Sequence, residues 1–151
     1  VMDEINALSQ SVQLSMVPDE AQADLVVFFG SKADYLLDIE PAAAGFIGNS
    51  TGFSAIRWDG TGAITSASAF IDTENVTDET LIRHIVREEV SQTLGLINDT
   101  EQYSDSIFFQ GDSQQTFYSE LDKQLLTFIL HPSLRAGMCD GDAIAAIADL
   151  L

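Results

Sequence analysis

The fold is decided by one stretch of the sequence, EEVSQTLGLIN at residues 88–98. Apolar residues recur at helical spacing through residues 81–94, which predicts a helix that runs into this stretch. Thr77 can cap the start of the helix, and the two acids that follow it favour the positive end of the helix dipole. Gly95 is well placed to stop the helix, so the sequence predicts a helix followed by a sharp turn.

Glu89 breaks the apolar pattern of this helix. On a helical wheel it projects into the middle of one apolar arc, while His84, Glu88 and Gln92 stack along a neighbouring stripe because they are four residues apart. The arc is formed by Leu81, Ile82, Ile85 and Val86. A buried, charged and unpaired carboxylate is costly, so a metal ion, a hydrogen-bond network or an opening onto a cleft must offset it. A structural pairing of Glu89 with a basic residue or with buried polar groups is the alternative.

The spacing of the stretch resembles the metzincin peptidases, which carry H-E-x-x-H-x-x-G-x-x-H. In that family three histidines bind zinc, and the glutamate acts as general base on the metal-bound water. By this resemblance Glu89 corresponds to the general base and Gly95 to the turn glycine. The three zinc-ligand positions are then occupied by Glu88, Gln92 and Asn98.

Flanking segments extend the resemblance. Metzincins have a Met-turn beneath the metal, often reading Ser-Ile-Met, and residues 106–108 resemble it with Ser106 at its start and Phe108 in the methionine position. Residues 121–126 resemble the helix with an early Asp that closes the family's domain. Residues 63–72 resemble the strand along the substrate cleft, which implies a cleft between the sheet edge and the Ser106–Phe108 turn.

A closer resemblance is to a bacterial family of unknown function with zincin-like architecture. Its H-x-x-x-E-E-x-x-Q-x-L-G-L-x-N-D motif is similar to residues 84–99. Two further segments are similar to residues 105–108, which read DSIF, and to residues 132–138, which read PSLRAGM. This resemblance covers residues 23–151 and labels a family rather than an activity.

The expected fold is α+β and metzincin-like, in one domain over residues 1–151. Residues 1–95 are predicted to form a mixed twisted sheet with the motif helix across it, and residues 96–151 a smaller C-terminal helical part. Strands are predicted at residues 24–30, 53–58 and 63–71, the last as an edge strand or one covered on both faces. Further helices are predicted within residues 3–14, 32–39, 119–130 and 140–151, and a loop at residues 41–52.

Composition limits the partners. Twenty-four acids face six bases, for a net charge of −18, which excludes nucleic acid and disfavours anionic membranes. No apolar run approaches the ~18 residues of a membrane helix. The acidity predicts a solubilising surface or, alternatively, a surface that binds divalent cations. Cys139 is the single cysteine, so it forms no internal disulfide, and we expect a buried or half-buried thiol.

The replacement of every zinc histidine makes zinc a doubtful cofactor. Amide side chains are poor zinc ligands, and the Glu88, Gln92 and Asn98 trio suits a harder divalent ion such as Ca²⁺, Mg²⁺ or Mn²⁺. His84 pairs with Glu88 at i, i+4 spacing and offers another route to a transition-metal site.

Three functions are compatible with the sequence. The first is a divergent metal-dependent peptidase or hydrolase in which Glu89 is the general base. The second is a catalytically inactive, metal-free zincin-derived binding domain of the cell envelope with a peptide or protein partner. The third is a structural acidic domain in which Glu89 belongs to a closed hydrogen-bond network. The resemblance and the acidity favour a periplasmic or secreted location with the leader removed, and the cytoplasm is the alternative.

Overall fold

A computed structural model describes residues 1–111 and 113–151 and has an α+β fold. Its sheet contains β1 (Leu25–Gly30), β2 (Gly52–Trp58) and β3 (Ile64–Asp72). The strand order is β1-β3-β2, in which β3 pairs parallel with β1 and antiparallel with β2. The sheet is therefore mixed and the three predicted strands are confirmed.

The central position of β3 decides between the two expectations for this strand: it is covered on both faces and is not an edge strand. β3 covers the segment that resembles the metzincin strand along the substrate cleft. It lies between β1 and β2, and β2 forms the antiparallel edge of the sheet. From Ala67 to Asp72 every β3 residue is buried. Its small side chains, such as Ala67 and Ala69, allow both faces to be covered, which explains why its alternation of apolar and polar residues is weak.

Five α-helices appear in the part of the chain that the structure describes. They are α1 (Met2–Leu8), α2 (Lys32–Asp34), α3 (Glu79–Gln92), α4 (Glu120–Ile129) and α5 (Asp140–Ala148). A π-helical turn, Tyr35–Ile39, continues α2, and a 3₁₀ helix, Pro41–Gly45, follows it inside the predicted loop. None of these helices is long and apolar enough to cross a bilayer.

The end of α1 and the start of α3 differ from the predictions, and side-chain hydrogen bonds lie at both places. α1 stops at Leu8 rather than running on to residue 14, and the Asn6 side chain bonds both the backbone N–H and the carbonyl of Leu14. α3 is capped by Asp78 and not by Thr77, because the Asp78 carboxylate accepts hydrogen bonds from the N–H groups at the first turn.

The C-terminal segment is more exposed than its sequence predicts. The helical spacing of Ile144 and Ile147 is typical of a helix that packs on a core, yet no α5 residue is buried and Ile144 is 67% exposed. Cys139, at the N-cap position of α5, is also exposed, so the prediction of a buried or half-buried thiol is wrong.

Two apolar clusters hold the sheet, one on each face. The larger cluster packs α3 against the sheet and contains Ile71 of β3, Ile85 of α3 and Leu126 of α4. The smaller one is centred on Tyr35, which stacks on Phe70 at a ring-centroid distance of 5.0 Å. Since α3 lies on the sheet with Ile85 inward, Glu89, one turn further along the same face, also points towards β2.

Candidate functional site

Glu89 is held between α3 and the edge strand β2. Its side chain is only 6% exposed. Gly52, the first residue of β2, makes this position possible: a Cβ built on Gly52 would overlap Glu89 Oε1 and would lie 2.5 Å from Ile85 Cγ2. The missing side chain at Gly52 is therefore the space that the Glu89 carboxyl group occupies.

The Glu89 carboxyl group has an unusual protonation state. Burial raises its pKa from 4.5 to about 9, and the nearby Glu88 and Asp99 charges add to the rise. The Ser54 hydroxyl acts in the opposite direction, but its hydrogen is donated to Gln92. Glu89 is thus protonated at neutral pH, which removes the cost of burying a charge.

One Glu89 oxygen nevertheless lacks a partner. Glu89 Oε2 is fully buried, and no hydrogen-bond partner for it exists among residues 1–111 and 113–151. Buried polar atoms are nearly always hydrogen-bonded, so an orphaned carboxyl oxygen marks either stored strain or a missing ligand. Glu89 therefore does not belong to a closed network of protein hydrogen bonds.

Gln92 connects three elements one turn beyond Glu89. Its Oε1 accepts a hydrogen bond of 2.8 Å from Ser54 Oγ of β2, and its Nε2 donates one of 2.9 Å to Asp99 Oδ1 in the loop after α3. Burial and the Glu88 charge raise the pKa of Asp99, while the Gln92 hydrogen bond lowers it. Sequence reasoning did not single out Asp99, although it closes the motif of the resembling bacterial family.

Glu88 faces His84 along the helix. The distance between His84 Nε2 and Glu88 Oε2 is 3.5 Å, and His84 Nδ1 lies 2.9 Å from the Gln115 carbonyl oxygen. Because a carbonyl only accepts, Nδ1 carries the hydrogen. Burial lowers the pKa of the buried His84, but the Glu88 carboxylate and the Gln115 carbonyl outweigh it and raise the pKa above 6.5.

Asn98 is exposed and is one of the residues that line a cavity of about 420 Å³. The cavity is bounded by Gly95, whose φ of +114° turns the chain sharply after α3, and by Ser106 and Phe108 of the buried downstream turn. Its remaining wall consists of Leu96, Ile97, Thr100, Tyr103, Leu121 and Leu125. The three predicted turn residues, Gly95, Ser106 and Phe108, thus line one apolar space together with Asn98.

A zinc ion, which the metzincin resemblance implies, does not fit these side chains. In the described parts of the chain no three His, Cys, Asp or Glu side chains are grouped so that they could hold a metal ion. Both ends of the Gln92 amide are used, Glu88 is paired with His84, and Asn98 lies at the cavity. The four predicted ligands therefore lie in three different places. Gln92 bridges β2 and the loop after α3, Glu88 pairs with His84, and Asn98 lines the cavity.

Comparison with known proteins gives one match. The profile of a family described as "Protein of unknown function (DUF2927)" matches residues 1–149. The match includes the sheet, α3 and the C-terminal helices, so the whole candidate site lies within it. No curated protein and no solved structure matches the chain.

Proposed function

The chain belongs to the DUF2927 family of unknown function, and from this premise we propose that it is a metal-free, zincin-derived binding domain that holds a peptide segment by an apolar side chain. The observation that carries the proposal is the cavity of about 420 Å³ between the loop after α3 and the Ser106–Phe108 turn. This volume lies within the roughly 300–1,000 Å³ of typical ligand sites.

The order of the elements supports descent from a zincin-like fold. A mixed sheet is followed by the α3 helix, by a glycine turn at Gly95, and by a buried turn that begins at Ser106. Asp122, near the start of α4, fixes that turn by accepting hydrogen bonds from Ser106 Oγ and from the N–H of Ile107. These are the parts that surround the active site in metzincins.

The chemistry of the site disfavours the hydrolase hypothesis. A general base must be ionised and must reach a water molecule, whereas Glu89 is protonated at neutral pH and almost fully buried. Gln92, at the position of the second zinc histidine, joins β2 to the loop after α3 through hydrogen bonds. This arrangement supports an inactive relative of the peptidases.

A purely structural role is also less well supported. It requires Glu89 to belong to a closed network, but Glu89 Oε2 has no partner among the described residues. It also gives no reason for the half-exposed apolar side chains of Ile97, Tyr103 and Leu125 around the cavity. The net charge of −18 favours a partner with basic residues beside the apolar one.

Peptide binding is the direct test. The probe is a fluorescently labelled, doubly capped peptide, Ala-Lys-Phe-Lys-Ala, and its matched control carries Gly in place of Phe. Leu125→Trp fills the cavity, and Ile144→Trp adds the same side chain to α5, outside it. We expect both the Gly peptide and the Leu125→Trp protein to show binding weakened by about tenfold or more, with Ile144→Trp unchanged.

Two results would overturn the proposal. One is equal affinity of the Phe and Gly peptides for the wild type. The other is a stoichiometric metal ion in the dialysed protein, measured by elemental mass spectrometry, that disappears in Glu88→Ala. The second result would restore the metal-dependent hydrolase hypothesis and call for a peptidase assay.

A further inference from the structure

Two large apolar side chains are exposed at the end of the β2–β3 hairpin. Trp58, the last residue of β2, is 63% exposed, and Ile64, the first residue of β3, is 44% exposed. The two residues are paired across the strands, so their side chains lie side by side on the sheet. We call them the hairpin patch. A tryptophan beside an isoleucine differs from the apolar residues that are scattered singly over most protein surfaces.

The hairpin patch lies beside the cavity of the proposed binding site. Gly95 lines that cavity, and a Cβ built on Gly95 would lie 3.9 Å from Ile64 Cδ1. Ile97, which also lines the cavity, is exposed as well. The apolar surface therefore continues from the cavity, across the glycine turn, to Ile64 and Trp58, and a residue without a side chain separates the two parts.

The end of the hairpin is held in place by hydrogen bonds and by close backbone packing. The Asp59 N–H donates a hydrogen bond of 2.9 Å to the Ala63 carbonyl, and the Asp59 carboxylate accepts hydrogen bonds from the N–H groups of Thr61 and Ala63. Gly137 packs so closely on this turn that a Cβ built on it would lie 2.7 Å from the Thr61 carbonyl oxygen. A surface that is fixed in advance loses little conformational entropy when it binds a partner.

Charge favours a basic peptide as the partner of the hairpin patch. The net charge of −18 makes two copies of the chain repel each other and disfavours an anionic membrane. Next to Trp58, hydrogen bonds from Thr61 hold the pKa of the Asp59 carboxyl group below its usual value. On the other side, the Arg57 charge is offset by its ion pair with Glu40. The surroundings of the hairpin patch are therefore negative at neutral pH.

We propose that the hairpin patch is a second subsite for the peptide of the proposed function, and that it binds an apolar side chain two residues away from the one in the cavity. The inference rests on the proposed function, since it specifies the ligand further as a basic peptide with two apolar residues separated by one other residue. Side chains two residues apart in an extended peptide point to the same side and lie about 7 Å apart. That spacing suits two surfaces that both contact Gly95.

Two peptides of equal length and charge test the second subsite. Both are fluorescently labelled and doubly capped. One is Ala-Lys-Phe-Lys-Phe-Lys-Ala, and its matched control, Ala-Lys-Phe-Lys-Ala-Lys-Ala, lacks the second phenylalanine. On the protein, Trp58→Ala removes the larger side chain of the hairpin patch. Phe46→Ala is the matched control, because Phe46 is 81% exposed and follows the 3₁₀ helix that packs in the smaller apolar cluster, on the other face of the sheet.

We expect the second phenylalanine to lower the dissociation constant of the wild type about tenfold or more, because tryptophan side chains often dominate binding surfaces. A gain of about twofold arises without any second subsite, since either phenylalanine can then enter the cavity. Trp58→Ala should reduce the gain to that level, whereas Phe46→Ala should retain it in full. A gain of only about twofold in the wild type, or an equal gain in Trp58→Ala and the wild type, would overturn the inference.

The two proposals fail in different ways. If Leu125→Trp weakens binding of the peptide with one phenylalanine while the second phenylalanine adds nothing, the cavity function stands and the second subsite is wrong. If that peptide loses affinity in Trp58→Ala but not in Leu125→Trp, its phenylalanine binds the hairpin patch and the cavity function is wrong. No binding at millimolar peptide would overturn both.

Sedimentation of the protein without peptide tests a second copy of the chain as the partner. We expect a monomer for the wild type and for Trp58→Ala at the concentrations of the binding assay. A wild-type dimer that Trp58→Ala dissociates would mean that a second copy covers the hairpin patch, and would overturn the inference.

Discussion

On α4, Asp122 accepts a hydrogen bond of 2.5 Å from the hydroxyl of Ser106, and both side chains are buried. The same carboxylate also accepts hydrogen bonds of 2.9 Å from the N–H groups of Ile107 and Ser119. One side chain thus ties the downstream turn to the first turn of α4. Since Ser106 and Leu121 both line the cavity, Asp122 also fixes the shape of the proposed binding site.

Asp122→Asn should destabilise the protein by about 3 kcal/mol. The carboxylate accepts three hydrogen bonds, whereas the asparagine amide has one acceptor oxygen and an NH₂ group that only donates. At least one of the three buried donors is therefore left without an acceptor. Urea denaturation measures the loss. Asp105→Asn, an exposed change of the same kind three residues before Phe108, serves as the control. Equal midpoints for the two variants would contradict the prediction.

Gly52→Ala should cost about 2 kcal/mol, because the new methyl group overlaps the Glu89 carboxyl group and Ile85. In a Glu89→Ala background the same substitution should cost clearly less, since one of the two obstructions is gone. Thermal and urea denaturation of the wild type, the two single variants and the double variant gives the coupling free energy between residues 52 and 89. Gly45→Ala, where an added methyl group meets no atom within 4 Å, should be close to neutral. A full, additive cost in both backgrounds would show that Glu89 does not occupy the Gly52 space.

Glu89→Gln should become more stabilising relative to the wild type as the pH rises. The pKa of Glu89 is about 9 in the folded protein and 4.5 in the unfolded chain. Between these values the folded state holds one more proton than the unfolded state, so the stability of the wild type falls with rising pH. Glutamine has no proton to lose. We expect the stability difference, Gln minus Glu, to grow by at least about 1 kcal/mol between pH 5 and pH 8 in urea denaturation. Parallel stability curves would mean that Glu89 is ionised in the folded state.

Local sequence signals predicted much of the fold. The periodicity of α3, the stop at Gly95 and the three apolar strand segments all depend on neighbouring residues, and all appear in the structure. The wrong predictions concern features that depend on residues distant in the sequence. The exposure of α5 depends on whether a surface is available for Ile144 to cover, and the early end of α1 accompanies the side-chain bonds of Asn6 to Leu14.

The candidate site shows the same division. The helical wheel placed Glu89 on the buried face, because that is a property of α3 alone. Its protonation could not be predicted, since it depends on Gly52 from β2 and on Asp99 from the loop. The alignment with the metzincin motif put Asn98 at the third ligand position, but the structure bonds Gln92 to Asp99 and leaves Asn98 at the cavity.

That difference predicts how a zinc site could be built into this backbone. Both designs carry Glu88→His and Gln92→His, which gives the two helical histidines of a zincin. The third ligand is Asn98→His in one protein and Asp99→His in the other. We expect the Asp99→His protein to bind Zn²⁺ at least about tenfold more tightly, because residue 99 already contacts residue 92 across the Gly95 turn.

Competition with a chromogenic zinc chelator measures both affinities, and the protein with only the two helical histidines is the control for binding without a third ligand. Tighter binding by the Asn98→His protein would mean that the loop after Gly95 follows the metzincin path more closely than its hydrogen bonds indicate. If neither design binds Zn²⁺ better than the control, the loop does not return to the α3 face as a zincin loop does. The zincin-derived part of the proposed function would then be wrong, while the peptide-binding part would still depend on the cavity alone.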